Sequence, residues 1–260
     1  MSQKLANAKA LYMEGIRDGK PYEAVTKYTG ARYTQHSTGV ADGVDGFVSF
    51  FTDFIQRNPV RDIQIVRGLV DGQYVFVQAF QNINNGEAKW VTMDLFDTDQ
   101  DDKIIEHWDV IAPFQSESVS GHSQIDGPTE VADLHATQDN KAVVRSFVDE
   151  VLIKDEWDDL SLYISSTTFT QHNPDIPDGL EGLKAYRAQL AAEGKAVQYQ
   201  SLFKLIGQGN FVATYGKTIH GKDSLAVFDL YRLENGLIVE HWDNKEVILP
   251  ASQWGNSGKF

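Results

Sequence analysis

Tyr33-Thr-Gln-His36-Ser-Thr-Gly-Val-Ala-Asp42-Gly-Val44-Asp-Gly-Phe47 has a second copy in the chain, Phe169-Thr-Gln-His172-Asn-Pro-Asp-Ile-Pro-Asp178-Gly-Leu180-Glu-Gly-Leu183, at an offset of 136. The same offset pairs Leu11 with Phe147 and Glu14 with Glu150. Further on, Asp94-Leu-Phe96 returns as Asp229-Leu-Tyr231 at offset 135, and Glu106-His-Trp-Asp109 as Glu240-His-Trp-Asp243 at offset 134. Four blocks in one order, drifting by two residues, mark a unit written twice.

Composition fits two such units. The 260 residues suit two domains of about 130 residues each. A hydrophobic share of 42% with 11% aromatics gives each half a core and excludes a disordered chain. Against 37 acidic residues stand 23 basic ones, a net charge of −14 that repels nucleic-acid phosphate and anionic lipid, so neither nucleic acid nor membrane is an expected partner. With no cysteine there is no disulfide, no thiolate nucleophile and no Cys-held metal, which fits a cytoplasmic protein. The first ten residues lack the apolar core of a leader and read as a helix start. Ser- and Gly-rich residues 115–128 read as the start of a linker, which gives a first domain 1–114, a linker 115–137 and a second domain 138–251.

Within each unit helices precede strands. Val144, Phe147, Val148 and Val151 recur at helical spacing, Lys154-Asp-Glu-Trp-Asp-Asp-Leu leads into a second short helix, and Leu180, Leu183, Tyr186 and Leu190 line a third. Asp178 reads as its N-cap, with Glu181 three residues on as in a capping box, and Asp42 caps the counterpart striped by Val44, Phe47, Phe50 and Phe54. These stripes read as core. The period then changes to two, giving four strands per unit with hairpin turns at Val70-Asp-Gly-Gln73 and Asn235-Gly236. The expected class is α+β: about three helices packed on a curved antiparallel sheet that encloses a conical pocket, twice in tandem.

Strand alternation puts His241 and Asp243 on one face and Glu240 and Trp242 on the other. The first pair is either an acid/base pair in the pocket or a satisfied polar pair at the sheet rim. Asp229, like Asp94, interrupts an apolar strand, where a carboxylate needs a partner or a proton; it is a functional acid or one half of a structural Asp–His bond. His36 and His172 either reach the pocket mouth or bond to a loop carbonyl. The run Asp97–Asp102 lacks the glycine and glutamate of a calcium loop and reads as a hairpin turn. No H-E-x-x-H, G-x-S-x-G, Walker A or dinucleotide fingerprint is present.

Gln171-His-Asn-Pro174, the following Gly-Leu-Glu-Gly and the closing Glu234-Asn-Gly-Leu-Ile-Val-Glu-His-Trp-Asp243 resemble the SnoaL-like polyketide-cyclase family of the nuclear-transport-factor-2-like, cone-shaped α+β barrel superfamily. The resemblance covers roughly residues 4–114 and 138–250. It implies a deep apolar pocket and pairing of units through their sheets. Here that pairing would be an intramolecular pseudodimer, with room for a homo-oligomer. It implies acid/base chemistry on a small apolar, carbonyl-containing ligand with neither metal nor cofactor: aldol-type cyclisation, isomerisation or dehydration. The proton-moving acid would be Asp243, or Asp229 with His241, and His172 would orient a carbonyl. Their first-unit counterparts are Asp109, Asp94, His107 and His36. Tyr231 and Phe96 are expected to touch the ligand. So are Trp242 and Trp108, although alternation sets these tryptophans opposite the Asp, where they would serve packing instead. In the first unit Ser37-Thr38 replaces Asn-Pro, so the second unit is the better candidate for chemistry. The alternative is a non-catalytic module that binds a small hydrophobic ligand or a protein partner.

Overall fold

A computed structural model describes residues 2–260 of the chain. It divides into two compact units: residues 1–113 with 249–260, and residues 114–248. Each is α+β with one five-stranded sheet.

In the first unit, α1 (Gln3–Ala10) runs on as a π-helical stretch, Leu11–Arg17, followed by α2 (Pro21–Tyr28), β1 (Thr29–Gln35) and α3 (Gly43–Arg57). Strands β2 (Arg61–Asp71), β3 (Tyr74–Ile83), β4 (Ala88–Thr98) and β5 (Ile104–Pro113) form an antiparallel meander, with β1 parallel to β5, giving the order β1-β5-β4-β3-β2. The second unit repeats this. Its α4 (Thr137–Ser146) also becomes π-helical, at Phe147–Ile153, before β6 (Thr170–Gln171) and α5 (Gly179–Ala192). Strands β7 (Val197–Gln208), β8 (Phe211–His220), β9 (Asp223–Glu234) and β10 (Leu237–Val247) complete the order β6-β10-β9-β8-β7. The π-helical stretches begin at Leu11 and Phe147, the offset of the sequence repeat. In each, this wider turn sends apolar side chains into the core, among them Leu11, Tyr12 and Ile16 in the first unit and Phe147, Val148 and Val151 in the second.

Three expectations change. The second short helix of the second unit shrinks to a 3₁₀ turn at Leu160–Leu162, because Asp155 adopts a positive φ of 65° that leaves the helical region. The capping box of Asp178 and Glu181 does not form, and neither aspartate caps its helix through its side chain. Asp42 and Asp178 stand at the N-caps, but their carboxylates accept the backbone N–H of Gln35 at 2.7 Å and of Gln171 at 2.8 Å, and Glu181 pairs with Lys184. Each N-cap therefore pins the strand that precedes its helix. Residues 115–137, read as a linker, count to the second unit, where Val119 N–H bonds Pro174 O at 2.9 Å, Ser120 Oγ bonds Gln171 O at 2.7 Å and Asn210 binds Ala132 through both backbone and side chain. Residues 249–260 play the same part in the first unit, with Gly255 N–H on Thr38 O at 2.8 Å and Asn256 Nδ2 on Ser37 O and Val40 O. Ser/Gly composition signals a segment without its own core; it does not show that other strands satisfy its backbone. Gly127 is obligatory in this seating. Its φ is +84° and an added Cβ would lie 2.6 Å from Glu240 Oε1.

Among the described residues no helix is long and apolar enough to cross a membrane.

Candidate active site

Cross-strand register sets the site. Thr214, Asp229 and Asp243 lie side by side on β8, β9 and β10, as Val77, Asp94 and Asp109 do on β3, β4 and β5. Directly opposed residues share a face, so each unit brings two carboxylates together on the side of the sheet that faces the helices. A cavity opens there in each unit. The first, about 270 Å³, is walled by Phe47, Phe50, Phe51 and Phe54 of α3 and reaches Asp94, His107 and Asp109. The second, about 120 Å³, is walled by Leu183, Tyr186 and Leu190 of α5 and reaches Asp229, His241 and Asp243. The phenylalanine stripe read as core is thus a pocket wall, as are Phe96 and Tyr231.

A chain of buried polar groups runs along each wall. In the second unit Gln171 Oε1 meets His241 Nδ1 at 3.0 Å, His241 Nε2 meets Asp229 Oδ1 at 3.0 Å, and the Tyr199 hydroxyl donates to Asp229 Oδ2 at 2.9 Å. In the first unit Gln35 Oε1, His107 and Asp94 repeat the order at 2.8 and 2.9 Å. There the tyrosine is Tyr12, from the π-helical stretch, and it reaches both Asp94 oxygens at 2.8 Å. A glutamine oxygen only accepts, so the histidine Nδ1 donates to it and Nε2 faces the aspartate.

The second carboxylate has its own partners. Asp243 accepts from Asn173 Nδ2 at 2.7 and 2.9 Å and pairs with Lys245 at 2.8 Å. Asp109 pairs with Lys259 at 2.9 Å, from the segment after β10. Burial raises both carboxyls, but Lys245 and His241 in one unit, and Lys259 and His107 in the other, outweigh it and hold them below the usual carboxylate range. Asp94 goes the other way: burial dominates and its carboxyl lies above its ordinary value despite the His107 bond. In the first unit the two carboxyls are thus driven apart.

The ligand atoms of Asp94, His107 and Asp109, and of Asp229, His241 and Asp243, each lie within 4.8 Å of one another, a spacing that can hold an ion. The donors fit one poorly. An ammonium already neutralises one carboxylate in each cluster, and the imidazole nitrogen is engaged by the other.

The structure places four expected site residues elsewhere. His36, His172, Trp108 and Trp242 lie on the opposite sheet face and line neither pocket. His172 stacks on Trp242 at 4.3 Å and meets Glu240 at 2.8 Å and Ser123 O at 2.7 Å; His36 stacks on Trp108 at 4.9 Å and meets Glu106 at 2.9 Å and Gly258 O at 2.6 Å. The physical reason is alternation. Gln35 and Gln171 point at the pocket, so the next residue points away. These histidines clasp the covering segments. The reading also missed Gln35, Gln171, Tyr12, Tyr199, Asn173, Lys245 and Lys259. Lys245 was legible two residues after Asp243 on the same face. Nothing local announces Tyr199, whose ring rests on Gly216. A Cβ there would come within 2.8 Å of that ring and 2.6 Å of Ser201 O. Gly216→Ala is therefore expected to push Tyr199 off Asp229 and to cost about 1–3 kcal/mol of stability, read by urea unfolding.

No family model matches the chain, and no curated protein matches it. Solved structures do. A Bacillus cereus protein described as a polyketide cyclase is 18% identical, with 43% of this chain and 78% of that one covered and a TM-score of 0.38. A Kribbella flavida protein described as a ketosteroid isomerase is 16% identical over 44% and 84%, with a TM-score of 0.37. An epoxide hydrolase from M. tuberculosis, described as LEH-like, is 16% identical over 42% and 84%, with a TM-score of 0.34. Each match spans less than half of this chain, about the length of one unit.

Proposed function

We propose that the second unit moves a proton next to the carbonyl group of a small, largely apolar ligand, without help from a metal or cofactor. The observation that carries this is Gln171 Nε2. It is buried, lines the pocket and has no hydrogen-bond partner, whereas its first-unit counterpart, Gln35 Nε2, is taken by the Tyr33 hydroxyl at 2.9 Å. Phe169 stands where Tyr33 would, and so leaves that donor free for a ligand oxygen. A buried donor of this kind is costly unless something accepts from it.

The chemistry follows from the chain of bonds. A carbonyl oxygen accepts from Gln171 Nε2, which stabilises the enolate as charge develops. Asp229, hydrogen-bonded to His241, takes the proton from the adjacent carbon and returns it at the same or a neighbouring carbon. Asp243, kept ionised by Lys245, supplies a fixed negative charge beside His241. Isomerisation, dehydration and aldol-type closure all pass through such a step.

The first unit supports the second reading, binding without turnover. Its Gln35 donor is occupied by Tyr33, inside a larger cavity walled by phenylalanines. The test is solvent deuterium incorporation beside the carbonyl of 2-acetylnaphthalene, followed by NMR. Exchange above buffer that Asp229→Asn removes supports the proposal. Exchange no faster than buffer across aryl ketones, or exchange untouched by that change, overturns it.

A further inference from the structure

We propose that the pocket of the second unit holds a second binding subsite, formed by Thr218, His220 and Lys245, for an oxygen acceptor on the far end of the ligand. It extends the function proposed above, which places the ligand's carbonyl at Gln171. All three side chains line the same cavity as Asp229 and His241. Thr218 is 2% exposed and its Oγ1 has no partner; His220 Nε2 is buried and has none either. Lys245 spends one contact on Asp243 Oδ2, at 2.8 Å, and an ammonium has three donors. Three polar groups thus line this end of the cavity. The nearby acids, Asp243 and Asp229, are already engaged by Lys245, Asn173, His241 and Tyr199, and Asp223 is exposed. What the subsite lacks is an acceptor, and a carbonyl or carboxylate oxygen supplies one.

The register gives the spacing. Thr218 lies four residues along β8 from Thr214, the residue opposite Asp229, which is roughly 13 Å at the rise of a strand. Lys245 lies four residues along β10 from His241, whose partner on β6 is Gln171. A ligand that engages both ends is therefore an elongated compound with oxygen at each end. The subsite belongs to one unit only. The same register puts Gln81, Ile83 and Ile111 at the places of Thr218, His220 and Lys245 in the first unit. Two of the three polar groups become isoleucine, and the first unit takes the more apolar ligand. Burial, and then the Lys245 ammonium, push the His220 imidazole down to about 4, so the free pocket presents it neutral at physiological pH.

The test is calorimetric titration of the full chain with 2-acetylnaphthalene and with 6-acetyl-2-naphthoic acid, which differ by one carboxylate. The acid is expected to bind one site per chain about tenfold more tightly than the ketone. Thr218→Val, which keeps the shape, and His220→Phe should each remove most of that advantage. Equal affinity for the two compounds, or an advantage that survives both changes, overturns the subsite. Deuterium exchange separates this from the proposed reaction. Selective binding without exchange keeps the subsite and removes the chemistry, and exchange without selectivity does the reverse.

Discussion

Asp229→Asn should lower proton exchange by about 10²- to 10⁴-fold while leaving the second unit folded. The amide is isosteric with the carboxylate. Its nitrogen donates to His241 Nε2, where Asp229 Oδ1 now lies 3.0 Å away, and its oxygen accepts from the Tyr199 hydroxyl, as Oδ2 now does at 2.9 Å. Packing and hydrogen bonding thus survive, and only the basic lone pair is lost. Circular dichroism and the unfolding midpoint should therefore move little, which separates lost chemistry from lost structure. Asp94→Asn is the internal control. Tyr33 fills the donor of Gln35, the counterpart of the Gln171 donor that is free for a ligand. The exchange activity of the whole chain should fall less than twofold. If Asp94→Asn costs more than Asp229→Asn, the active unit has been misassigned.

The duplication and the strands were legible because both are patterns within one or two strand lengths. The offset of 136 located both histidine-bearing segments, and that of 134 both Glu-His-Trp-Asp strands. Alternation placed His241 with Asp243 and set Trp242 apart. What sequence hid depends on contacts between distant residues. Gln171 stood inside the quoted motif, but its two-residue strand is too short to show a period, so its neighbour His172 drew the assignment. Tyr12 and Tyr199 bond equivalent aspartates from unrelated places, a helix in one unit and an edge strand in the other. No repeat offset connects them. The covering segments were misread for a similar reason. Their Ser/Gly composition describes what they lack, while their hold on the sheet is made by backbone groups and by histidines on strands remote in sequence.

Lys259 and Asp109 are likewise far apart in sequence, and their pairing carries the largest expected effect on stability. Ile111 stands where Lys245 stands in the second unit, so β5 carries no cation two residues after Asp109. Lys259 supplies it from 150 residues away, with a side chain 1% exposed against an Asp109 side chain 6% exposed. Its ammonium also donates to the Asp109 carbonyl at 3.0 Å. Removing one partner of such a pair strands a buried charge, at a cost of about 3–5 kcal/mol. Lys259→Met should therefore destabilise the first unit by about that amount at pH 7. Protection of backbone amides in residues 1–113 against hydrogen exchange should fall, and protection in residues 114–248 should hold, because Asp243 keeps Lys245. The pH dependence has a definite sign. Asp109 titrates below its unfolded value when Lys259 is present, so its contribution is complete above about pH 4 and fades as pH drops through the folded pKa. Without the ammonium the carboxyl takes up a proton more readily. The gap between wild type and variant should be widest near neutrality and narrow in acid. Asp109→Asn in the Lys259→Met background removes the stranded charge and should recover most of the loss. A double variant no more stable than Lys259→Met alone would show that Lys259 acts through its packing and not its charge.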